Sequence, residues 1–431
     1  MDRGSILLRR YLCRRLSEYY AQPADKVVGS VGVGIGTGSF IRQGISFSSL
    51  INEWHWKYTY KRIYNEQRGM WLTPVEIFYP YYSNILANFV NESMTTTTSL
   101  TNLSNAHHDK EGAFEIVELG GGRGTNAIAL LNHLSECHPK SYERLQCYTI
   151  FDTSKTLHEY QTTVLKQSQH AEKVKLVNTD MIDIAEGKSM FLTPSDTPTA
   201  VIAMELLDNL PHDKIGRCIE TGDILQAIVV PSDDATSNIL ADNVIDTSIR
   251  YNEQFAPMND PLLQNILSIA PSLYTPNIRP RWVPTVAIGI LMKLFECRPN
   301  FSVALADFDW LPPSDSSTWT AAQSAVAAAD GDPLVTDMEG NDHECYLTSP
   351  PNALCDILFP TDFGRLANFV DQYMAQPTIA HPSSYTTLTM KQRDFLSRYG
   401  PAEVEKTKVW TGYSPMINDF GNCSVLVTTQ G

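Results

Sequence analysis

The chain has 431 residues, 43% of them hydrophobic, enough for one large core or two moderate ones. A formal net charge of −15, from 33 basic and 48 acidic residues, repels phosphate backbones; it argues against nucleic acid as a general partner and favours a cationic substrate or basic peptide. None of the eight cysteines sits in a CxxC or in a Cys/His set with zinc spacing, so they read as free thiols of a reducing compartment with no metal site. No apolar run reaches the roughly 18 residues of a membrane helix; the longest, VPTVAIGILMKLF, contains Lys293 and reads as a buried helix.

The first segment, MDRGSILLRRYLCRRLSEYY, carries Arg3, Arg9, Arg10, Arg14 and Arg15 with little acid. It fits either a mitochondrial presequence or a helix with Ile6, Leu7, Leu8 and Tyr11 on its apolar side. The run VGSVGVGIGTGSF lacks the GK[ST] ending of a phosphate loop and reads as a loop or hairpin. Residues 93–112, SMTTTTSLTNLSNAHHDKEG, are polar and Thr-rich, which predicts a flexible linker in which His107 and His108 are solvated. From residue 114 the pattern alternates strand and helix. FEIVEL, LQCYTIF, VKLVN, TAVIAMEL and FSVALADF are the strands; NAIALLNHL and LHEYQTTVLKQ are helices between the first three. A long segment, roughly 233–300, separates the fourth and fifth strands; VWTGYS and CSVLVTTQ suggest a final antiparallel pair. This alternation implies an α/β, doubly wound, mostly parallel sheet.

Such sheets bind ligands at the carboxyl ends of their strands. The first strand runs into Glu118-Leu119-Gly120-Gly121-Gly122-Arg123-Gly124-Thr125. The dinucleotide fingerprint GxGxxG fails at Thr125, and the phosphate-loop pattern fails for want of Lys-Ser/Thr. Acid-x-Gly-x-Gly-x-Gly does fit, on Glu118, Gly120, Gly122 and Gly124. It resembles motif I of the class I S-adenosylmethionine-dependent methyltransferases. Glycines let a backbone approach its ligand and adopt positive φ. A carboxylate beside them would repel a pyrophosphate and welcome an ammonium and a sulfonium. Asp152, ending the second strand, is placed to accept ribose hydroxyls, or else to cap the next helix. In this fold Asp180, after the third strand, meets the adenine amino group, with Met181 packing on the ring; the same Asn-Thr-Asp also reads as a turn.

The fourth strand leads into TAVIAMELLDNLPHDKI. With motif I, this resembles the MidA-like methyltransferases, whose signature there is Asn-Glu-apolar-apolar-Asp-Ala-Leu-Pro. Glu205, Asp208, Leu210 and Pro211 match, while Met204 replaces the Asn and Asn209 the Ala. Further blocks resemble the family in the same order: GMWLTPVEIFYPYYSNILANFV, YTIFDTSKTLHEYQ, RPRWVPT, CDILFPTDFGRLANFV and KQRDFLSRYG. The resemblance implies a seven-stranded class I sheet with S-adenosyl-L-methionine as cofactor. It implies an N-terminal helical region over 1–92, the linker 93–112, a cofactor-binding Rossmann-like core over 113–232, a helical insertion over 233–300, and the rest of the core over 301–431. It makes the Arg-rich start the family's first folded helix, and it implies mitochondrial location and methylation of arginine on a complex I subunit during assembly.

An arginine nucleophile is difficult because its pKa exceeds about 12 and its charge is delocalised. Two carboxylates that pair with two of its nitrogens fix its plane and leave density on the third. Glu205 and Asp208 are the candidates, expected to share one face through i,i+3 spacing. Asp307 and Asp309 either rim the same cleft or cap the fifth strand. His212 is either a proton acceptor or a solvated loop residue, and Cys345 is assigned nothing. A cofactor-binding assembly factor and a small-molecule methyltransferase remain open, the first kept alive by Met204 in place of Asn.

Overall fold

The computed structural model describes residues 5–430 except 24–26, 29–43, 67–71, 105–111, 233–250, 277–278, 312–331, 340, 344, 348–353 and 378–384. Five apolar runs form the heart of the molecule: β1 (Phe114–Leu119), β2 (Leu145–Asp152), β3 (Val174–Asn178), β4 (Thr199–Met204) and β5 (Phe301–Phe308). Strands covered on both faces need continuous apolar residues, and β4 and β5 are buried along nearly their whole length. With β6 (Tyr385–Lys391) and β7 (Cys423–Gln430) they make a seven-stranded sheet in the order 6-7-5-4-1-2-3. β1 to β5 pair in parallel, and β7 runs antiparallel to both β5 and β6, so the sheet is mixed. Register aligns Leu119 with Phe151 and Ala203, and Met204 with Ala306. The residues next after these aligned positions, Gly120, Asp152, Glu205 and Asp307, therefore lie side by side at the carboxyl ends of the strands.

Two apolar layers cover the sheet. One joins Ile85, Leu86, Phe89 and Val90 of α2 (Tyr81–Ser104) to Leu130, Leu131 and Leu134 of α3 (Thr125–Cys137). The other joins Ile182 and Ile184 of α4 (Met181–Ala185) to Ile288, Leu291 and Phe295 of α5 (Thr285–Cys297). Gly289 permits that contact, since a Cβ there would lie 2.7 Å from the Cβ of Ala185. The expected buried helix over VPTVAIGILMKLF is thus α5.

Three expectations need correction. The linker 93–112 is helical through Ser104: Thr95, Thr96 and Thr97 donate their hydroxyls to the carbonyls four residues back, and Ser93, Met94 and Thr97 are buried. His107 and His108 lie outside the described residues. The partner of β7 is Tyr385–Lys391 rather than VWTGYS, whose Trp410 and Thr411 instead donate backbone N–H groups to Leu50 and Ile51. Lastly, 233–300 is helical only in part: it holds Pro261–Ile269, Pro271–Tyr274 and α5, but it also supplies two strands to another sheet. Ile6–Leu7, Asp213–Arg217, Ile224–Pro231, Tyr251–Pro257 and Arg281–Val283 build a second, antiparallel sheet, which draws strands from both the supposed core and the supposed insertion. Its strand YNEQFAP is largely exposed and lacks an apolar run. Part of the segment, 233–250, lies outside the described residues, as does most of VGSVGVGIGTGSF.

The Arg-rich start is built into the fold. In α1 (Leu8–Tyr20) the residues Leu8, Leu12, Leu16 and Tyr19 recur at helical spacing and are buried against the second sheet. Arg9, only 1% exposed, meets Asp213 at 2.7 Å, Asp260 at 2.6 Å and Glu186 at 2.9 Å.

Candidate functional site

A cavity of about 230 Å³ opens at the carboxyl ends of β1, β2 and β4. Its floor is the turn from β1 into α3. Gly120, Gly122 and Gly124 have φ of 70°, 50° and 76°, which side chains with a Cβ rarely adopt. Each has its own reason to be small. A Cβ on Gly120 would lie 2.9 Å from Leu206, whereas one on Gly122 would project into open space. Gly124 does not line the cavity; it turns the chain into α3. Gly121, which the motif leaves unspecified, is needed as well, because a Cβ there would sit 2.4 Å from Ile150 Cγ2.

Carboxylates surround this floor. Glu118 lines the cavity and accepts from Asn126 Nδ2 at 2.8 Å and Tyr148 OH at 2.9 Å. Burial pushes its pKa up to about 7, against those two hydrogen bonds. Asp152 also stands at about 7 through burial, although Ser154 N–H and Gln161 Nε2 donate to it at 2.9 Å each. Gln161 Nε2 also donates to Gly122 O at 2.8 Å, which ties the glycine turn to the end of β2. Asp180 lines the cavity while capping α4 through Ile182 N–H at 2.9 Å, so turn and cavity wall are the same residue; Met181 lies beside it.

The far end of the cavity belongs to β4 and β5. Glu205 has φ of 53°, a left-handed conformation that costs a non-glycine residue about 1–3 kcal/mol. A turn over Leu207–Asn209 follows. Glu205 and Asp208 both reach the cavity, but not by the expected helical spacing: the left-handed residue aims one and the tight turn the other. Asp208 N–H donates to Asp307 Oδ2 at 3.0 Å, which brings a third carboxylate to the group. Burial and then the charge of Asp307 raise the pKa values of Glu205 and Asp208 well above the usual carboxylate range. Asp307 is pushed up to about 7 by burial, against backbone hydrogen bonds from Asp208, Phe308 and Leu207. Among the described residues, Glu205, Asp208 and Asp307 have no cationic partner. Asp309 is turned away from this group and engages Lys391 and Ser424. His212 is neither solvated nor at the cavity. It is buried and stacked on Phe359 at 4.2 Å, its Nδ1 2.8 Å from Leu210 O, with its pKa lowered to about 4 by burial.

Sequence reasoning missed several lining residues. Asp356 arrives on a strand, Cys355–Leu358, of a separate three-stranded sheet; it lies in the block CDILFPTDFGRLANFV, noticed for resemblance but given no role. Glu76 sits in the TPVE segment, already noticed as a block of resemblance; it is buried, lines the cavity and accepts from Thr125 Oγ1. Asn126 lines the cavity at 4% exposure, and its Oδ1 has no partner among the described residues.

S-Adenosyl-L-methionine fits these residues. The open space at Gly122 leaves room beside the turn, the orphaned Asn126 Oδ1 offers an acceptor, and Glu118 and Asp152 need a ligand to favour their ionised forms. The comparisons agree on this class. A family model described as "Putative S-adenosyl-L-methionine-dependent methyltransferase" matches residues 97–379. A crystal structure from Burkholderia thailandensis, described as a superfamily member and "likely methyl transferase" bound to S-adenosyl-homocysteine, superposes with a TM-score of 0.57 at 15% identity, covering 99% of this chain and 88% of that one. A native structure from the same superfamily and organism gives 0.54 at 13% identity, with the same coverage of 99% and 88%. At these identities the likeness is one of fold. No curated protein sequence matches the chain.

Proposed function

The chain belongs to the MidA-like family of S-adenosyl-L-methionine-dependent methyltransferases, and from that premise we propose that it methylates an arginine side chain of a protein substrate. The pair Glu205 and Asp208, lining the cavity with no cation of their own among the described residues and with Asp307 behind them on the Asp208 N–H, carries this reading. A buried carboxylate group without a counter-ion is costly until a cation joins it, and a planar guanidinium can engage two carboxylates at once. The family's resemblance suggests a subunit of complex I and a mitochondrial location. Among the described residues no helix is long and apolar enough to cross a membrane.

In this reading Glu118 and Asn126 hold the ammonium end of the cofactor, Asp152 the ribose and Asp180 with Met181 the adenine. The cofactor supplies an electrophilic methyl group whose bond to sulfur breaks as the new bond to nitrogen forms, releasing a neutral thioether. Glu205 and Asp208 fix the guanidinium plane and orient one nitrogen toward that methyl. The proton that this nitrogen loses passes to the carboxylate group and then to solvent. Raised pKa values suit such an acceptor at neutral pH.

The test is a transfer assay with isotopically labelled cofactor and paired peptides that differ only in arginine or lysine. Label on arginine alone is the expected result. Label on lysine or on a small amine or hydroxyl compound would overturn the arginine assignment. Tight cofactor binding without transfer to any acceptor would select the assembly-factor reading.

A further inference from the structure

The family match begins at residue 97, yet one wall of the cavity comes from far upstream. Cys13, Leu16, Ser17 and Tyr20 of α1, with Val27 and Val28 beyond it, line the same space as the glycine turn. The Cys13 thiol lies 3.5 Å from Asp180 Oδ2, the carboxylate assigned to adenine. At the end of α1, Tyr20 O accepts from Ser154 Oγ at 2.8 Å and Gln22 O from Thr156 Oγ1 at 2.9 Å. Ser154 is the residue whose N–H holds Asp152, so the helix end is tied to the loop that positions the ribose carboxylate. Tyr20 also reaches the other end of the cavity: its hydroxyl donates to Asp356 Oδ2 at 3.3 Å, and Asp356 is close enough to Asp208 for their charges to interact. Arg9 anchors the helix from behind through Asp213, Asp260 and Glu186.

We infer that α1 is part of the cofactor site: Cys13, Leu16 and Ser17 cover the adenosine half of bound S-adenosyl-L-methionine, and Tyr20 spans from there to the acceptor side. The inference rests on the placement of adenosine at Asp152 and Asp180. It adds that the cofactor is sandwiched between the sheet edge and a helix outside the matched family region. A ligand that contacts both surfaces holds them together, so its binding and the seating of α1 reinforce each other.

Cys13 is a native reporter of this contact. The full chain is treated with iodoacetamide with and without saturating S-adenosylhomocysteine. Alkylation of Cys13 and of the exposed Cys137 is followed by peptide mass spectrometry, and binding is measured by calorimetry in the same preparation. Bound ligand should slow the reaction at Cys13 by at least about tenfold and leave Cys137 within about twofold, the protection expected of a site that reacts only when free. Cys13→Trp, which fills the space, should weaken binding by at least about tenfold, whereas Cys137→Ser, away from the cavity, should leave it unchanged. If the ligand binds while Cys13 reacts at its original rate, α1 is not part of the site and the cofactor assignment stands. If the ligand does not bind at all, both fall together.

Discussion

Two groups of carboxylates among the described residues, buried except for the partly buried Glu186, differ in their counter-ions. Asp213, Asp260 and Glu186 surround Arg9, which contacts all three within 2.9 Å. Burial raises the pKa of Glu186, but Lys188, Arg9 and Arg10 together hold it below the ordinary glutamate range. Burial keeps Asp213 raised even beside Arg9. Asp208 N–H donates to Asp307 Oδ2 at 3.0 Å, yet no cation among the described residues answers Glu205, Asp208 or Asp307, and all three are pushed upward. The first group is closed and fastens α1 to the second sheet. Glu205 and Asp208 of the second line a cavity, where the proposed substrate would complete the group. The lesson is that burial and charge alone do not mark a site; the absence of an internal counter-ion beside a cavity does.

Substitutions should separate the two groups. The largest effect is expected for Arg9→Met, which strands Asp213 and Asp260 in the interior and should lower unfolding free energy by about 3–5 kcal/mol, measured by urea denaturation. Gly122→Val places a branched side chain into the cavity at a positive φ and should weaken S-adenosylhomocysteine binding at least about 100-fold, near 2.7 kcal/mol, by calorimetry. Gly222, also at positive φ but away from the cavity, is the control: Gly222→Val should leave binding unchanged. Asp208→Asn should lower kcat on an arginine peptide by about 1.5–3 kcal/mol of transition-state stabilisation, with cofactor affinity nearly intact and stability unchanged or improved. The corresponding change in the closed group, Asp213→Asn, should destabilise the fold instead; equal outcomes for the two would abolish the distinction.

A further effect is in pH. Glu118 and Asp152 titrate near 7 in the folded chain, against 4.5 and 3.8 as ordinary values. Between those values the unfolded chain has released its protons while the folded chain retains them. Stability of the unliganded protein that is present at low pH is therefore lost as pH rises toward about 7, and a melting series should show it. Cofactor affinity moves the opposite way, because the ionised carboxylates bind the cation and the ribose. It should increase between pH 6 and 8 by less than about tenfold per unit, and Glu118→Gln should flatten that slope.

Much of this was legible from residues alone, for identifiable reasons. β1, β2, β4 and β5 are largely buried, so their apolar runs are unmistakable, and the glycine turn is spelled out because its backbone needs positive φ. The edge strand β6, YTTLTMK, is half exposed and offered no such run. The Thr-rich segment deceived because its hydroxyls satisfy carbonyls of their own helix and it packs through Ser93, Met94 and Thr97. Glu205 and Asp208 were read as neighbours on a helical turn. They do meet at the cavity, through a left-handed residue that no spacing rule anticipates.

The sequence by itself determined the parallel sheet, the place of the cofactor turn and the carboxylates that end β1, β2 and β4, because each is fixed by interactions within a few residues of chain. Only the tertiary structure decided what completes the site. Asp307 joins Asp208 from a strand 99 residues away, Asp356 comes from a separate small sheet, and α1 returns from the start of the chain to cover the cavity. Those contacts depend on register, burial and the closing of long loops, which leave no periodic trace in the residues that make them.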